Sequence, residues 1–121
     1  MKLLKTILVV LLLSVSAMLL AQKAGDRVLG QWSDGFWYPA TVVSVDSGIF
    51  SVSFDDGDTA NLNSSKIKKL DWGVGTSVQC NWKSGGVYYT GKITTKNGDE
   101  IHVSYDDGDQ EDTIIGKCRS R

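Results

Sequence analysis

The sequence contains one histidine, one proline and two cysteines among its 121 residues. His102 is the single imidazole, so a Ser-His-Asp arrangement has little support, and two cysteines beside it are too few for a zinc site. The paired carboxylates are adjacent on turns and do not converge from separate elements around a cleft. We therefore predict that the protein is not an enzyme and that it needs no cofactor and no metal.

Long apolar runs are absent except near the start of the chain, where residues 7–13 are uninterrupted and apolar. Lys2 and Lys5 precede this run, and Ala21 ends the mostly apolar stretch after it. This layout is typical of a secretory signal peptide, so we predict cleavage near Ala21 and a secreted or periplasmic product. A retained membrane anchor is the alternative, but residues 6–21 are short for a span.

Positive charge is also scarce once residues 1–21 are removed. That segment holds two of the 13 Lys and Arg and none of the 14 Asp and Glu, so the formal net charge changes from −1 to −3. Because nucleic-acid binders need a positive surface, nucleic acid is an unlikely partner, and no membrane contact is expected after cleavage. Two basic stretches could pair with the acidic turns or contact a polyanion: Lys66, Lys68 and Lys69, and Lys117, Arg119 and Arg121.

The two cysteines, Cys80 and Cys118, both lie in the second half of the chain. An exported protein folds in an oxidising compartment, where paired cysteines usually bond. A bridge would close a loop of about 39 residues, worth about 4 kcal/mol in the chain-entropy model. We predict this disulfide, with two unpaired buried thiols as the alternative.

One unit is written twice. Gly25-Asp26-Arg27-Val28 corresponds to Gly75-Thr76-Ser77-Val78, and residues 50–58 (FSVSFDDGD) correspond to residues 101–109 (IHVSYDDGD). The second copy is one residue longer than the first. The extra residue falls in a turn, and surface loops tolerate such insertions. We place the signal peptide at 1-21, the first barrel at 22-72 and the second at 73-121.

Each unit reads as five short strands, and no helical period follows residue 21. Phe50, Val52 and Phe54 alternate with serines, which is the period of a half-buried strand, and Gly57 supplies a turn. Five strands in so few residues indicate a small bent barrel, which removes exposed edges by closure. The predicted strands are 27–32, 37–45, 50–54, 59–62 and 67–70, then 77–82, 87–95, 100–105, 110–114 and 116–119.

The ordered residues of each unit resemble the Tudor domain. In the first unit they run from Trp32 through Gly35, Tyr38 and Ala40 to the Phe-Asp-Asp-Gly-Asp at 54–58, and residues 82–94 (WKSGGVYYTGKIT) are the closer match. The resemblance covers residues 24 to 119 and implies an all-β fold of two five-stranded SH3-like barrels in tandem. It also implies a non-enzymatic reader of methyl-lysine or methyl-arginine.

The resemblance implies an aromatic cage in each unit, because aromatic faces attract methylated ammonium groups and a carboxylate adds Coulomb attraction. By position, the second cage, expected to be the better formed, consists of Trp82, Tyr89, Tyr105 and Asp107, and the first of Trp32, Tyr38, Phe54 and Asp56. Asp58 and Asp109 stand where lysine readers often carry a further aromatic. Each cage thereby loses a wall and gains a charge, which favours cations with free N–H groups.

The residues of the cages also have purely structural interpretations. Trp32 and Trp82 could be core anchors, and the Asp-Asp-Gly-Asp runs could be solvated turns. Calcium is disfavoured because no bidentate Glu follows at EF-hand spacing. His102 alternates with core positions and should face outward.

We therefore expect an exported binding module that recognises a methylated or cationic side chain, or a small cation. The alternative is a structural or adaptor SH3-like module of the cell envelope, which binds a protein or cell-wall partner.

Overall fold

A computed structural model describes residues 22–121, so the predicted signal peptide lies outside the described residues. Two curled, five-stranded antiparallel sheets account for the two repeats, which confirms the tandem SH3-like barrels. The first sheet consists of β1 (Arg27–Gln31), β2 (Trp37–Asp46), β3 (Ile49–Phe54), β4 (Thr59–Asn63) and β5 (Ile67–Lys69). The second consists of β6 (Ser77–Asn81), β7 (Tyr88–Asn97), β8 (Glu100–Tyr105), β9 (Gln110–Ile114) and β10 (Cys118–Arg119).

In both sheets, the pairing of the long strand shifts register at the corresponding place. The first sheet has the order β4-β3-β2-β1-β5 and the second β10-β6-β7-β8-β9. The register shifts between Val42 and Ser44 in β2 and between Ile93 and Thr95 in β7. Such a bulge bends a strand and increases its twist, so each long strand can pair along two directions of a curled sheet.

Three short 3-10 turns were not predicted. Their bounds are Ser64–Lys66, Trp82–Ser84 and Ile115–Lys117. The last of them replaces the first half of the strand predicted at 116–119, and β10 forms the second half. In the first, the Asn63 side chain accepts a hydrogen bond from the Ser65 backbone N–H, a local bond that competes with strand pairing.

The core is divided into two clusters, and one residue of the first repeat belongs to the second cluster. Val28 is buried inside its own barrel, whereas its neighbour Leu29 is buried among residues of the second barrel. Consecutive side chains of a strand point to opposite faces, so β1 is buried on both sides. Trp72, between the repeats, is 5% exposed and belongs to the same cluster as Leu29. The boundary between 72 and 73 stays a prediction.

The end of the chain joins the two sheets. β10 pairs with β6 of its own barrel, and Ser120 forms a two-bond bridge with Trp37 of β2. The Trp37 N–H donates to the Ser120 carbonyl at 2.8 Å, and the Ser120 N–H donates to the Trp37 carbonyl at 3.0 Å. The chain end therefore lies between the barrels. Within residues 22–121, no helix is long and apolar enough to cross a membrane.

An ion-pair cluster also lies across this junction. The Arg27 guanidinium donates to both carboxylate oxygens of Asp55, at 2.6 and 2.8 Å, and lies 3.5 Å from Asp99 in the second repeat. Gly116 stands so close to Asp55 that an added Cβ would be 2.9 Å from the Asp55 Cβ. A small residue is therefore required where the second barrel meets the acidic turn of the first.

Cys80 and Cys118 form the predicted disulfide, so the alternative of two unpaired thiols is wrong. They face each other across β6 and β10. Because β10 is only two residues long, the bond reinforces a strand with few backbone hydrogen bonds.

Replacing both cysteines by alanine should lower the free energy of unfolding by about 2–5 kcal/mol, because the unfolded chain loses its crosslink. Urea unfolding followed by far-UV circular dichroism would measure this. The matched control is the parent protein in reductant, whose midpoint should move toward that of the variant. A parent protein with the same midpoint in oxidised and reduced form would contradict the prediction.

Gly91 should be intolerant of a side chain although its backbone would accept one. An added Cβ would lie 2.8 Å from both the Ser104 carbonyl oxygen and the Val103 Cγ1. Gly91→Ala should therefore cost about 1–3 kcal/mol, as overpacked cores do. Gly73→Ala is the control, since nothing lies within 4 Å of its Cβ position. Thermal melts that rank the two variants equally would refute the expectation.

Candidate aromatic–acidic pockets

The tryptophan that follows the first strand of each repeat packs on the aromatic residue of the acidic motif. Trp32 meets Phe54, and Trp82 meets Tyr105, each with ring centroids 5.4 Å apart and planes at 89°. Edge-to-face pairs of this kind stabilise cores. The motif aromatics are themselves almost fully buried, at 4% exposure each. Trp82 packs against the core of its barrel, whereas Trp32 is 38% exposed, and both line a cavity.

The acidic motifs form tight turns beside these rings. Asp56 accepts a hydrogen bond from the Asp58 backbone N–H at 3.0 Å, and Asp107 accepts one from the Asp109 N–H at 2.9 Å. The glycine between them has positive φ in both turns. One oxygen of Asp56 and of Asp107 is thus used by the turn itself. Asp56 and Asp107 therefore both stabilise their turns and line the pockets.

In the second repeat, the structure brings all five predicted residues around one cavity, here called the second pocket. Its volume is 120 Å³, and its lining consists of Trp82, Tyr89, Tyr105, Asp107 and Asp109. Tyr105 is buried and forms the floor, while Tyr89 is 46% exposed and forms the rim.

In the first repeat, a cavity of 150 Å³, here called the first pocket, contains the five predicted residues and two more. Its lining consists of Trp32, Asp34, Tyr38, Phe54, Asp56, Asp58 and Tyr88. Sequence analysis missed Asp34 and Tyr88. A larger cavity of 540 Å³ lies against strands β7, β8 and β9 but has no aromatic lining.

Asp34 extends the acidic side of the first pocket. It accepts hydrogen bonds from the Tyr38 hydroxyl at 2.6 Å and from the Phe36 N–H at 2.9 Å. The signal that could have found it is its place in the Ser-Asp-Gly turn, four residues before Tyr38. The second repeat carries Lys83-Ser84-Gly85-Gly86 in this turn and has no equivalent carboxylate.

Two of the pocket phenols are held in their neutral form. Burial, reinforced by a 2.7 Å hydrogen bond from its hydroxyl to Glu111, raises the pKa of Tyr105 well above its ordinary value. Burial and the hydrogen bond to Asp34 raise the pKa of Tyr38, and the nearby Arg119 partly offsets this rise. The rings therefore stay neutral at physiological pH. Glu111, which sequence analysis also missed, reaches Tyr105 from the neighbouring strand.

The basic stretches contact aromatic rings and amides, whereas the sequence suggested pairing with the acidic turns or contact with a polyanion. The Arg119 guanidinium lies 3.9 Å from the Phe36 ring centroid and 4.1 Å from that of Tyr88. Lys68 lies 4.2 Å from the Trp37 ring centroid, and Lys66 donates to Gln31. The planar guanidinium stacks well on ring faces. Within the described chain, the acidic turn is paired through Asp55 by Arg27.

His102 lies on the outer side of its strand, as predicted. Its Nδ1 is 2.6 Å from an Asp112 oxygen and its Nε2 is 2.9 Å from the Gln110 oxygen. The hydrogen bond with Asp112 is the main cause that raises the pKa of His102. It does not line either pocket.

Residues 24–70 match the sequence profile of the Tudor domain of the DNA repair protein Crb2. The crystal structure of the Crb2 tandem tudor domains is similar to this chain with a TM-score of 0.56 and 23% sequence identity, over 83% of this chain and 80% of that one. This likeness shows a shared fold.

A shorter likeness involves the zinc finger CCCH-type with G patch domain-containing proteins of Ovis aries and Bos taurus. Each is 48% identical over 33 residues, which are 27% of this chain and 6% of the relative. The matched stretch thus spans a small part of these relatives. The first repeat therefore matches a Tudor domain in sequence, and the two repeats together share the fold of tandem Tudor domains.

Proposed function

We propose that this protein is an exported, non-enzymatic binding module that takes a methylated or otherwise cationic side chain, or a small cation, in its aromatic–acidic pockets. One observation carries the proposal. The described chain gathers aromatic faces and carboxylates around a small cavity twice, at corresponding places of the two repeats. The match of residues 24–70 to a Tudor domain supports a peptide as the bearer of the cation.

The size of the pockets limits the ligand. Volumes of 120 and 150 Å³ are well below the roughly 300–1,000 Å³ of cavities that enclose drug-sized molecules. A pocket of this size suits the head of one side chain. The rest of the ligand would then lie on the protein surface, which agrees with a peptide or a small ammonium compound.

The chemistry of the lining selects for positive charge. A methylated ammonium keeps its charge, loses hydrogen-bond donors and gains apolar methyl groups, so ring faces compete well with water for it. Carboxylates add Coulomb attraction and accept any N–H that remains. Because Asp58 and Asp109 line their pockets, we expect partly methylated lysine or arginine to bind more tightly than a fully methylated group.

The first pocket has the richer lining, although the sequence pattern favoured the second. It has one further ring, Tyr88, and one further carboxylate, Asp34. We therefore expect the first pocket to bind the same cation more tightly than the second.

The decisive experiment is a tryptophan-fluorescence titration with trimethyl-lysine, dimethyl-arginine, choline and spermidine. Trp32 and Trp82 line the two pockets, so a bound cation should change the emission saturably at micromolar to low millimolar ligand. Tyr38→Ala should weaken the response of the first pocket, and Tyr89→Ala that of the second. A flat response to all four compounds would sink cation binding and favour the envelope adaptor.

The contribution of the carboxylates can be measured separately. Asp58→Asn and Asp109→Asn keep the shape of the side chain and remove its charge. Each should weaken binding about 3- to 10-fold at low salt, and added salt should narrow the difference. Glu100→Gln, a charge change on β8 outside both pockets, is the control. Equal losses in all three variants would show a general charge effect without a role for the pocket acids.

The proposed export can be tested at the amino terminus of the mature protein. If residues 1–21 are a signal peptide, the protein recovered from the periplasm or medium should begin at Gln22, because Ala21 supplies the small residue at the cleavage site. Amino-terminal sequencing and intact mass would show this. A protein that retains Met1 and fractionates with membranes would contradict it.

A further inference from the structure

The second repeat contributes a ring to the pocket of the first. Tyr88 stands at the start of β7, in the second sheet, yet it lines the first pocket together with Trp32, Tyr38 and Phe54. It also lines a narrow crevice beside that pocket, where Gly116 meets Asp55. The first pocket is therefore built from both barrels.

Arg119 stacks on the Tyr88 ring and connects it with the first barrel. Its guanidinium carbon lies 4.1 Å from the Tyr88 centroid and 3.9 Å from the centroid of Phe36. Its Nη1 donates to the Tyr38 hydroxyl at 3.2 Å. One side chain thus contacts two rings that line the first pocket and a third ring beside it.

Arg119 is itself held by the second barrel. Its Nε donates to the Gln79 oxygen at 3.1 Å, and its backbone pairs with Gln79 on β6. The residue before it, Cys118, is bonded to Cys80, and the residue after it, Ser120, is bridged to Trp37. The pairing with Gln79, the adjacent disulfide and the adjacent bridge to Trp37 together hold the Arg119 guanidinium in place.

The second pocket is built differently. All five of its lining residues come from the second repeat, and its rim is Tyr89, the neighbour of Tyr88. Adjacent residues on a strand point to opposite faces, so β7 presents one tyrosine to each pocket. The first pocket therefore includes a residue of the other repeat, whereas the lining of the second pocket includes none.

We propose that the first pocket is a composite site, in which Tyr88 of the second repeat contacts the bound cation and Arg119 is the residue that positions this ring. The second pocket is self-contained. The proposal rests on the proposed function of cation binding, and it adds that the affinity of the first pocket depends on how the barrels are joined.

Arg119 carries a positive charge near a site for cations, which sharpens the test. If Arg119 acted only through its charge, its removal would tighten binding by relieving repulsion. If it positions Tyr88 and Tyr38, its removal weakens binding although a repelling charge is lost. The sign of the effect therefore separates the two roles.

The experiment follows two backbone amides of the ¹⁵N-labelled protein by NMR during titration with dimethyl-arginine and with trimethyl-lysine. Gly57 and Gly108 each follow an acidic residue of one pocket, so their amide shifts report the first and the second pocket separately. Tyr88→Ala and Tyr88→Leu remove the ring, and the leucine variant preserves apolar packing. Tyr89→Ala is the matched control on the other face of β7. Arg119→Met removes the guanidinium and keeps an unbranched side chain.

The expected result is a rise of about 3- to 10-fold in the dissociation constant reported by Gly57 in both Tyr88 variants, as the loss of one ring face predicts. Arg119→Met should also raise this constant, and Gly108 should report parent-like binding in all three. Tyr89→Ala should affect Gly108 alone.

Three results would overturn the composite site. In the first, the Tyr88 variants have the parent's dissociation constant at Gly57, whereas Tyr38→Ala raises it. The first pocket would then bind the cation with residues of its own repeat alone. Arg119→Met could bind more tightly, which would refute positioning. In the third, neither amide shift changes in the parent protein. Cation binding itself would then be refuted, and the composite site with it.

Discussion

The junction at the chain end constrains the rest of this structure. β10 has only two residues, yet it is tied to β6 by backbone pairing and a disulfide, and the next residue is bridged to Trp37 of the other barrel. A strand this short has too few hydrogen bonds to hold its own position, so the covalent link stabilises it. Leu29 and Trp72 add apolar contact between the repeats. Two barrels with small cores thereby become one packed unit.

The pockets lie where strand ends and acidic turns meet. Phe54 and Tyr105 serve two purposes, since they fill the cores of their barrels and also form the floor of a pocket. A ring that is fixed by its core contacts loses little freedom when a ligand arrives. The turn carboxylates are held in the same way, because Asp56 and Asp107 cap the turns that place them. Local folding thus arranges charge and aromatic surface before any ligand binds.

Much of this could be predicted from residue patterns. Alternation placed β3 and β8 within one residue, the glycine turns placed the hairpins, and the internal repeat identified ten residues that the structure gathers around two cavities. The pattern was less informative where local bonds compete with pairing, as at Ile115–Lys117. It suggested the acidic turns or a polyanion as partners of the basic stretches, because charge in a sequence does not show which rings lie nearby. Arg119 stacks between two such rings.

The sequence by itself determined the repeat, the approximate strand positions, the disulfide partners and the residue types of each pocket, because these follow from local periodicity, turn chemistry and similarity between the two halves. Only the tertiary structure decided that the first pocket takes a ring from the second repeat. Tyr88 lies at an equivalent place to Trp37 in the repeat, yet it faces a cavity of the other barrel. The repeat pattern describes each barrel alone, whereas this placement depends on the packing of one barrel against the other, which local residue patterns do not encode.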